Sequence, residues 1–313
     1  MPDDLSLQKR RLLPPDGQAT DIVLSDGWRL RAHVWTQGQE GRPALLFCGG
    51  RGDFIEKYCE SFWHWRARGH AMMAFDMRGY GLSGRASVDA ERDYQQDFAR
   101  LVEDYAEVYA QAHKLLNRAP VPIAHSMGGH ILLRWLADCA PSVVRAILLS
   151  PMLGIGSAPR TWALAQISAV MRKVQGADHW AFGQGGYDQD RTAHREKILT
   201  GSPERYRDEG WWIAQEPRLR MGGVSWGWLH AATRSIAHLA TPDLLEHIPT
   251  RLCFLMGSEE KLVDAKAAAR MARRLPHACY HILPRGRHEL LRDCDDVQHK
   301  GWHIIDEFLE DAR

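Results

Sequence analysis

One serine lies in a context that would make it a nucleophile. Ser126 stands between the apolar run Val121–Ala124 and the segment Gly128–Ala137, whose apolar residues have helical spacing. A strand that turns sharply into a helix at a serine exposes the hydroxyl at the carboxyl end of the strand. The small residues Ala124 and Gly128 permit that turn, and the helix start favours developing negative charge. The alternative is an ordinary helix start that Ser126 caps.

A serine in such a turn needs partners that follow it in the order serine, acid, histidine. Three carboxylates, Glu259, Glu260 and Asp264, follow one later apolar run, and His288 follows the next one. A histidine in that place accepts the serine proton, and an acid orients the histidine. The residues therefore predict a triad of Ser126, His288 and one of the three acids.

Strands that could carry these residues recur along the chain. Short apolar runs predict strands at Asp21–Leu24, Trp28–Trp35, Ala44–Cys48, Ala71–Phe75, Val121–Ala124, Val144–Leu149, Arg251–Met256 and Cys279–Leu283. Helical spacing predicts helices at Glu56–Arg68, Val88–Leu116, Gly128–Ala137, Asp264–Leu275 and His299–Leu309. This alternation favours a mostly parallel sheet covered by helices on both faces.

The interval 151–240 has a different character, because no alternation of strand and helix is visible in it. It holds six of the twelve tryptophans: Trp162, Trp180, Trp211, Trp212, Trp226 and Trp228. We predict a helical lid here, inserted into an α/β core that residues 1–150 and 241–313 form. The tryptophans either supply the core of the lid or line an acyl-chain pocket and touch lipid.

Composition excludes several classes of protein. The chain has 313 residues, 45% hydrophobic and 25% charged, which are ordinary globular values and exclude disordered or fibrous classes. It carries 40 Lys and Arg against 39 Asp and Glu, a formal charge of +1. So small a charge provides no global field for nucleic acid, and we expect no nucleic-acid partner.

Other features indicate a reduced, cytoplasmic protein. No run approaches the ~18 apolar residues of a spanning helix, and the polar stretch Met1–Arg11 lacks the apolar centre of a secretory signal. The six cysteines form no CxxC pair, and Cys48, Cys253 and Cys279 lie in apolar runs, as small buried hydrophobic residues do. Peripheral contact with the inner face of the membrane and the oligomeric state stay open.

Taken together, the motifs resemble the α/β-hydrolase superfamily, and within it the bacterial lysophospholipase and monoacylglycerol-lipase-like branch. The resemblance spans roughly Leu45 to the C-terminus. The matching segments are Gly49–Tyr58, Asp76–Gly84, His125–Gly129, Ser150–Met152, Gly257–Asp264, Gly286–Glu289 and, in the interval 151–240, Gln215–Trp226. It implies an eight-stranded, mostly parallel sheet with a helical lid.

The resemblance also implies roles for individual residues. Ser126 would be the nucleophile and His288 the general base. The acid would be Glu260, where many relatives carry aspartate, with Glu259 and Asp264 as fallbacks.

An oxyanion hole would be formed by the backbone N–H groups of Arg51 and Met127. Relatives often have His-Gly where this chain has Gly49-Gly50, a change that backbone donors tolerate. The Arg51 side chain would then either meet an anionic substrate or be solvated.

Competing motifs are weaker. The segment Gly79–Gly84 matches GxGxxG, but neither the helix nor the acidic residue of a dinucleotide site follows at the required spacing. The segment Gly49–Gly52 lacks the Lys-Ser/Thr ending of a phosphate loop. His299 and His303 lie four apart without a third ligand nearby. We therefore expect no cofactor and no metal.

The expected function is a serine hydrolase that cleaves carboxylic esters of single-chain lipids, such as lysophospholipid or monoacylglycerol, through an acyl-enzyme. One alternative is a small-ester hydrolase, a thioesterase or a serine peptidase with the same triad. An alternative of another class is a non-catalytic ligand receptor or binding module. Acyl-chain length, head group and positional preference are left open.

Overall fold

An eight-stranded sheet forms the centre of the computed structural model, which describes residues 4–188 and 195–311. The strands are β1 Gln18–Val23, β2 Arg29–Trp35, β3 Leu45–Cys48, β4 Met72–Phe75, β5 Val121–His125, β6 Arg145–Leu149, β7 Arg251–Gly257 and β8 Ala278–Leu283. Their order in the sheet is β1-β2-β4-β3-β5-β6-β7-β8. β2 is antiparallel to β1 and β4, and the other neighbouring strands are parallel, which confirms the predicted sheet.

Helices pack on both faces of this sheet. They include α1 Asp4–Arg11, α2 Cys59–Ala67, α3 Phe98–Leu115, α4 Ser126–Cys139, α5 Ala158–Val174, α6 Pro203–Gln215, α7 Trp226–Leu239, α8 Ala265–Ala272 and α9 Asp295–Glu310. One buried cluster holds residues of α3, α4, α7 and α8, and a second holds residues of α2 and α9.

The central strands β3 and β4 are apolar at every position because both of their faces are covered. In β3, Leu45 and Phe47 point into one buried cluster, whereas Leu46 and Cys48 point into the other. Side chains alternate between the two faces of a strand, so a strand with helices on both sides needs an unbroken apolar run.

The helix expected at Val88–Leu116 is shorter than predicted. α3 begins at Phe98, after Asp97, whose side chain accepts a hydrogen bond from the Ala99 N–H. The preceding residues bond to a distant segment instead, since the Asp93 N–H donates to the Gly223 carbonyl at 3.1 Å. The prediction for residues 88–97 was therefore wrong, because a tertiary contact there replaces the helical bonds.

The connection between β6 and β7 is helical where the structure describes it, and residues 189–194 of the predicted lid lie outside the described part. It contains α5, α6 and α7, and α7 packs against α3, α4 and α5. Trp226 and Trp228 are buried, whereas Trp162 is 68% exposed. Among residues 4–188 and 195–311, none of the helices combines the length and apolar character needed to cross a bilayer.

Candidate active site

A strained turn between β5 and α4 carries the candidate nucleophile. β5 ends at His125, and Ser126 begins α4 with a φ of +51°, in the left-handed region that non-glycine residues rarely adopt. Gly128 makes the turn feasible, because a Cβ there would lie 2.2 Å from the carbonyl oxygen of Gly49. The turn holds the Ser126 side chain at the carboxyl end of the sheet.

The structure brings Ser126, His288 and Glu260 into one hydrogen-bonded chain. Nε2 of His288 lies 2.9 Å from Oγ of Ser126, and Nδ1 of His288 lies 2.8 Å from Oε2 of Glu260. Ser126 and His288 are both buried. The geometry fits a tautomer in which Nδ1–H donates to Glu260, so that Nε2 is left to accept the serine hydroxyl.

Of the three candidate acids, only Glu260 meets the histidine. Asp264 instead caps α8 and accepts from the Ala267 N–H at 2.9 Å. Glu259 has a side chain that is 46% exposed and lies 3.6 Å from Arg287.

The Glu260 carboxylate is held as an anion. Its second oxygen accepts from the N–H groups of Leu262 and Val263 at 2.7 and 3.1 Å. Burial would raise the pKa of Glu260, but His288 and these two bonds outweigh burial and lower that pKa. An ionised carboxylate at this place can stabilise a protonated His288.

The glycine loop, Gly49–Gly52, follows β3 and lies against the nucleophile. A Cβ at Gly50 would be 2.9 Å from the Ser126 Cβ, so this position requires glycine. The loop contains Arg51, whereas Met127 lies in the first turn of α4, where backbone N–H groups have no acceptor within the helix. Met127 thus follows Ser126 in the chain, and Arg51 follows Gly50, the loop residue that lies against Ser126.

Asp53 fixes the glycine loop from the core side. Its Oδ2 accepts from the Gly50 N–H at 2.6 Å and from the Tyr58 hydroxyl at 2.6 Å, and its Oδ1 lies 2.6 Å from Nζ of Lys57. Nδ1 of His125 lies 3.2 Å from the same Oδ2. Burial would raise the pKa of Asp53, but Lys57 and His125 hold it well below its usual value.

Sequence reasoning missed this cluster. A signal was available in the four-residue spacing of Asp53 and Lys57, but that spacing is also typical of a solvated helical pair.

The Arg51 side chain forms an ion pair with Asp93 on the other side of the glycine loop. Its Nε lies 2.8 Å from Oδ2 of Asp93, and its Nη2 donates to the Gly222 carbonyl at 2.6 Å. The Tyr80 hydroxyl donates to Asp93 at 2.9 Å and accepts from the Trp228 Nε1–H at 3.0 Å. Of the two alternatives for the Arg51 side chain, the solvated one is therefore wrong, and the guanidinium already faces a carboxylate of this chain.

Comparison with known proteins assigns a family. Residues 39–295 match the model of the family described as Hydrolase_4, serine aminopeptidase S33, which covers most of the chain. This chain belongs to that family.

Two curated relatives are similar to this S33-family protein over most of their length. Lysophospholipase L2 of Escherichia coli K12 is 27% identical over 315 residues, covering 91% of this chain and 89% of that protein. Probable lysophospholipase L2 of Haemophilus influenzae is 25% identical over 273 residues, covering 86% and 84%.

Solved structures share the fold of this S33-family chain. A monoglyceride lipase from Saccharomyces cerevisiae superposes with a TM-score of 0.71 at 16% identity, covering 96% of this chain and 97% of that one. A carboxyl esterase from Bacillus coagulans gives a TM-score of 0.69 at 15% identity, covering 95% and 100%. These likenesses confirm the α/β-hydrolase fold.

In this S33-family chain, the segment Gly79–Gly84 is a structural turn. The Asp76 carboxylate accepts from the N–H groups of Leu82 and Ile55 at 2.8 and 2.9 Å, so the turn wraps around a buried aspartate. The next helix begins only at Phe98.

The two histidines of the last helix have separate neighbours. His303 lies 3.3 Å from Glu307, and His299 stacks on Trp302.

Proposed function

We propose that this protein is a serine hydrolase that cleaves carboxylic esters of single-chain lipids, lysophospholipid or monoacylglycerol. The observation that carries the proposal is the continuous chain from Ser126 Oγ through His288 to Glu260, with contacts of 2.9 and 2.8 Å. The substrate class is supported by similarity to Lysophospholipase L2 over 91% of the chain. The family description favours a serine peptidase as the second candidate.

In the proposed mechanism, Ser126 attacks the acyl carbonyl while His288 Nε2 takes the hydroxyl proton. The N–H groups of Arg51 and Met127 donate to the oxyanion of the tetrahedral intermediate. Glu260 stabilises the imidazolium, which then protonates the leaving alcohol. Water, activated by His288, hydrolyses the acyl-enzyme and restores the serine.

The same proposal makes residues 151–240 a lid on a core formed by residues 1–150 and 241–313. Apolar contacts at the glycine loop support it. A Cβ at Gly52 would lie 3.4 Å from Cγ of Met221, and the buried residue Phe54 clusters with Ile213 and Leu219. An apolar surface beside the reacting carbonyl suits an acyl chain.

The exposed face of α5 supports peripheral contact of the lid with lipid. Trp162, Val170 and Val174 are 68%, 58% and 72% exposed, and their spacing of eight and four residues places them along one side of the helix. Arg172 and Lys173 lie at the end of this helix and suit an anionic lipid surface. We accordingly propose a cytoplasmic protein that binds the inner face of the membrane through α5.

Substrate turnover tests the chemistry. Fatty-acid release would be measured from a lysophospholipid, a monoacylglycerol and a short-chain nitrophenyl ester, for the wild type, Ser126→Ala and the exposed control Ser258→Ala. We expect lipid hydrolysis by the wild type and the control but not by Ser126→Ala. Activity on the short ester alone would overturn the lipid substrate. Turnover of only an aminoacyl nitroanilide would favour the peptidase, and no turnover at all would favour a receptor.

Sedimentation with vesicles of mixed zwitterionic and anionic phospholipid tests the membrane contact. We expect the double variant Trp162→Ser, Val170→Ser to lose binding. The control Val144→Ser, at an equally exposed valine on another surface (72%), should keep it. Equal binding by all three proteins would contradict the role of α5.

A further inference from the structure

Three potential metal ligands, two thiols and one imidazole, meet at the edge of the sheet, outside the candidate active site. Cys253 and Cys279 are register partners on the parallel strands β7 and β8, and His281 lies two residues beyond Cys279. Residues two apart on a strand share a face, so all three side chains point to the same side. Two Sγ atoms and one imidazole nitrogen lie within 4.8 Å of one another.

The burial of the three groups forms a gradient from core to solvent. Cys253 is fully buried, whereas Cys279 and His281 are half-buried. β8 is the last strand of the sheet and has a neighbour on one side only. The cluster is therefore accessible from the sheet edge, with an apolar floor on the inner side.

Metal binding would require both cysteines as thiolates, because the thiolate is the form of cysteine that binds metals. An entering cation would therefore release the thiol protons of Cys253 and Cys279.

We propose that Cys253, Cys279 and His281 form a Zn²⁺ site. Two thiolates and one imidazole are a ligand set for zinc, whereas Mg²⁺ and Ca²⁺ require oxygen ligands. With Zn–S bonds of about 2.3 Å, a tetrahedral site places its two sulfurs about 3.8 Å apart, which is compatible with ligand atoms that all lie within 4.8 Å of one another. The fourth ligand is water at the open edge.

None of the three ligands belongs to the proposed catalytic triad. The site nevertheless joins β7 and β8, the two strands that precede the triad residues Glu260 and His288. Glu260 follows β7, and His288 follows β8. Among the residues that the structure describes, no other group of three or more His, Cys, Asp or Glu ligand atoms is gathered as closely. A bound cation would fasten the edge strand to its neighbour, so Zn²⁺ should raise the melting temperature.

Titration of the full-length, reduced protein with Co²⁺ tests the proposal, because thiolate ligation gives a near-ultraviolet charge-transfer band. We expect one Co²⁺ per chain and displacement of the band by Zn²⁺. Cys279→Ser should lose about half of the band, since one of two thiolates is removed. His281→Ala should keep the band but bind at least about tenfold more weakly. The exposed Cys139→Ser is the control and should match the wild type.

The readout needs no substrate, so it is independent of the proposed function. Absence of the band, or its loss in Cys139→Ser but not in Cys279→Ser, would overturn the site. Recovery of Cys253 and Cys279 as a disulfide under the same reducing conditions would also overturn it. If Cys279→Ser does not fold, His281→Ala at the half-buried histidine decides the test, and unchanged Co²⁺ affinity in that variant would overturn the site.

Discussion

Two buried aspartates flank the glycine loop, and the protein stabilises them in opposite ways. Asp53 holds the loop from the core side, beside Lys57, whose amino group also lies 2.9 Å from Glu209 and 3.1 Å from Glu289. Asp93 lies on the other side and has Arg51 as its cation.

The two environments shift the two acids in opposite directions. The pKa of Asp53 is held well below its ordinary value, whereas burial raises the pKa of Asp93 to about 6. Burial penalises both carboxylates, so the difference arises from their partners: Asp53 has Lys57 and His125, while Asp93 has one guanidinium and the neutral hydroxyl of Tyr80. A carboxylate that positions the reaction site is thus a permanent anion. Asp93, whose backbone bonds to Gly223 and Ser225, is poised to titrate.

A third carboxylate, Glu260, should give the largest effect on catalysis when it is replaced. Glu260→Gln preserves the shape of the site but presents His288 with an amide, which favours the wrong tautomer. We expect kcat to fall about 10⁴-fold, with a small change in KM. Steady-state kinetics on a nitrophenyl ester measures this effect. Retention of most activity would remove Glu260 from the mechanism. Asp264→Asn is the matched control because its carboxylate caps α8 and faces Arg270 instead of His288.

Asp53→Ala should have the next largest effect. The Gly50 N–H would lose its acceptor, and the neighbouring donor at Arg51 would shift relative to the oxyanion. We expect kcat to fall about 10²-fold, the cost of a small misplacement, while KM changes little. Asp53→Asn keeps an acceptor oxygen and should retain more of kcat.

If Asp53 had only a structural role, its variants would have a lower melting temperature, but kcat would not fall selectively while KM stays nearly constant. Lys57 would still face Glu209 and Glu289, so the variants should fold. An unchanged kcat in a folded Asp53→Ala protein would contradict the positioning role.

The sequence predicted features that depend on local properties of the chain and missed features that depend on contacts between remote segments. The strands, Ser126, His288 and the loop with three candidate acids could be predicted, because apolar runs and loop positions are local properties of the chain. The choice of Glu260 among the three acids came from the family resemblance. The pairing of Arg51 with Asp93 could not be predicted, because it depends on how two loops approach each other in the fold. The early start predicted for α3 failed for the same reason. Its polar residues bond to a segment about 130 positions away.

Asp93→Asn should change stability more than catalysis. Because the pKa of Asp93 rises from 3.8 in the unfolded chain to about 6 in the folded one, the folded state binds more protons between these values. Stability from this group is therefore greatest at low pH and is lost as the pH rises through 6. Relative to Asp93→Asn, the wild type should be roughly 2 kcal/mol more stable at pH 4.5 than at pH 7.

Urea unfolding of both proteins at the two pH values measures this difference. Comparing the proteins at each pH removes the contribution of other titrating groups, such as Asp76, whose pKa is also raised to about 6. A difference that is independent of pH would show that Asp93 stays ionised throughout, as Asp53 does.

Tyr80→Phe gives the smallest and most specific effect. The change removes the hydroxyl that donates to Asp93 and leaves the Trp228 N–H without its acceptor, at a cost of about 1–2 kcal/mol in unfolding free energy. Since the Tyr80 bond lowers the pKa of Asp93, its loss should move the midpoint of the pH-dependent stability above 6. The same unfolding series, run at closer pH intervals, locates that midpoint. A midpoint that moved down would mean that the Tyr80 hydroxyl stabilises the neutral form of Asp93 rather than its carboxylate.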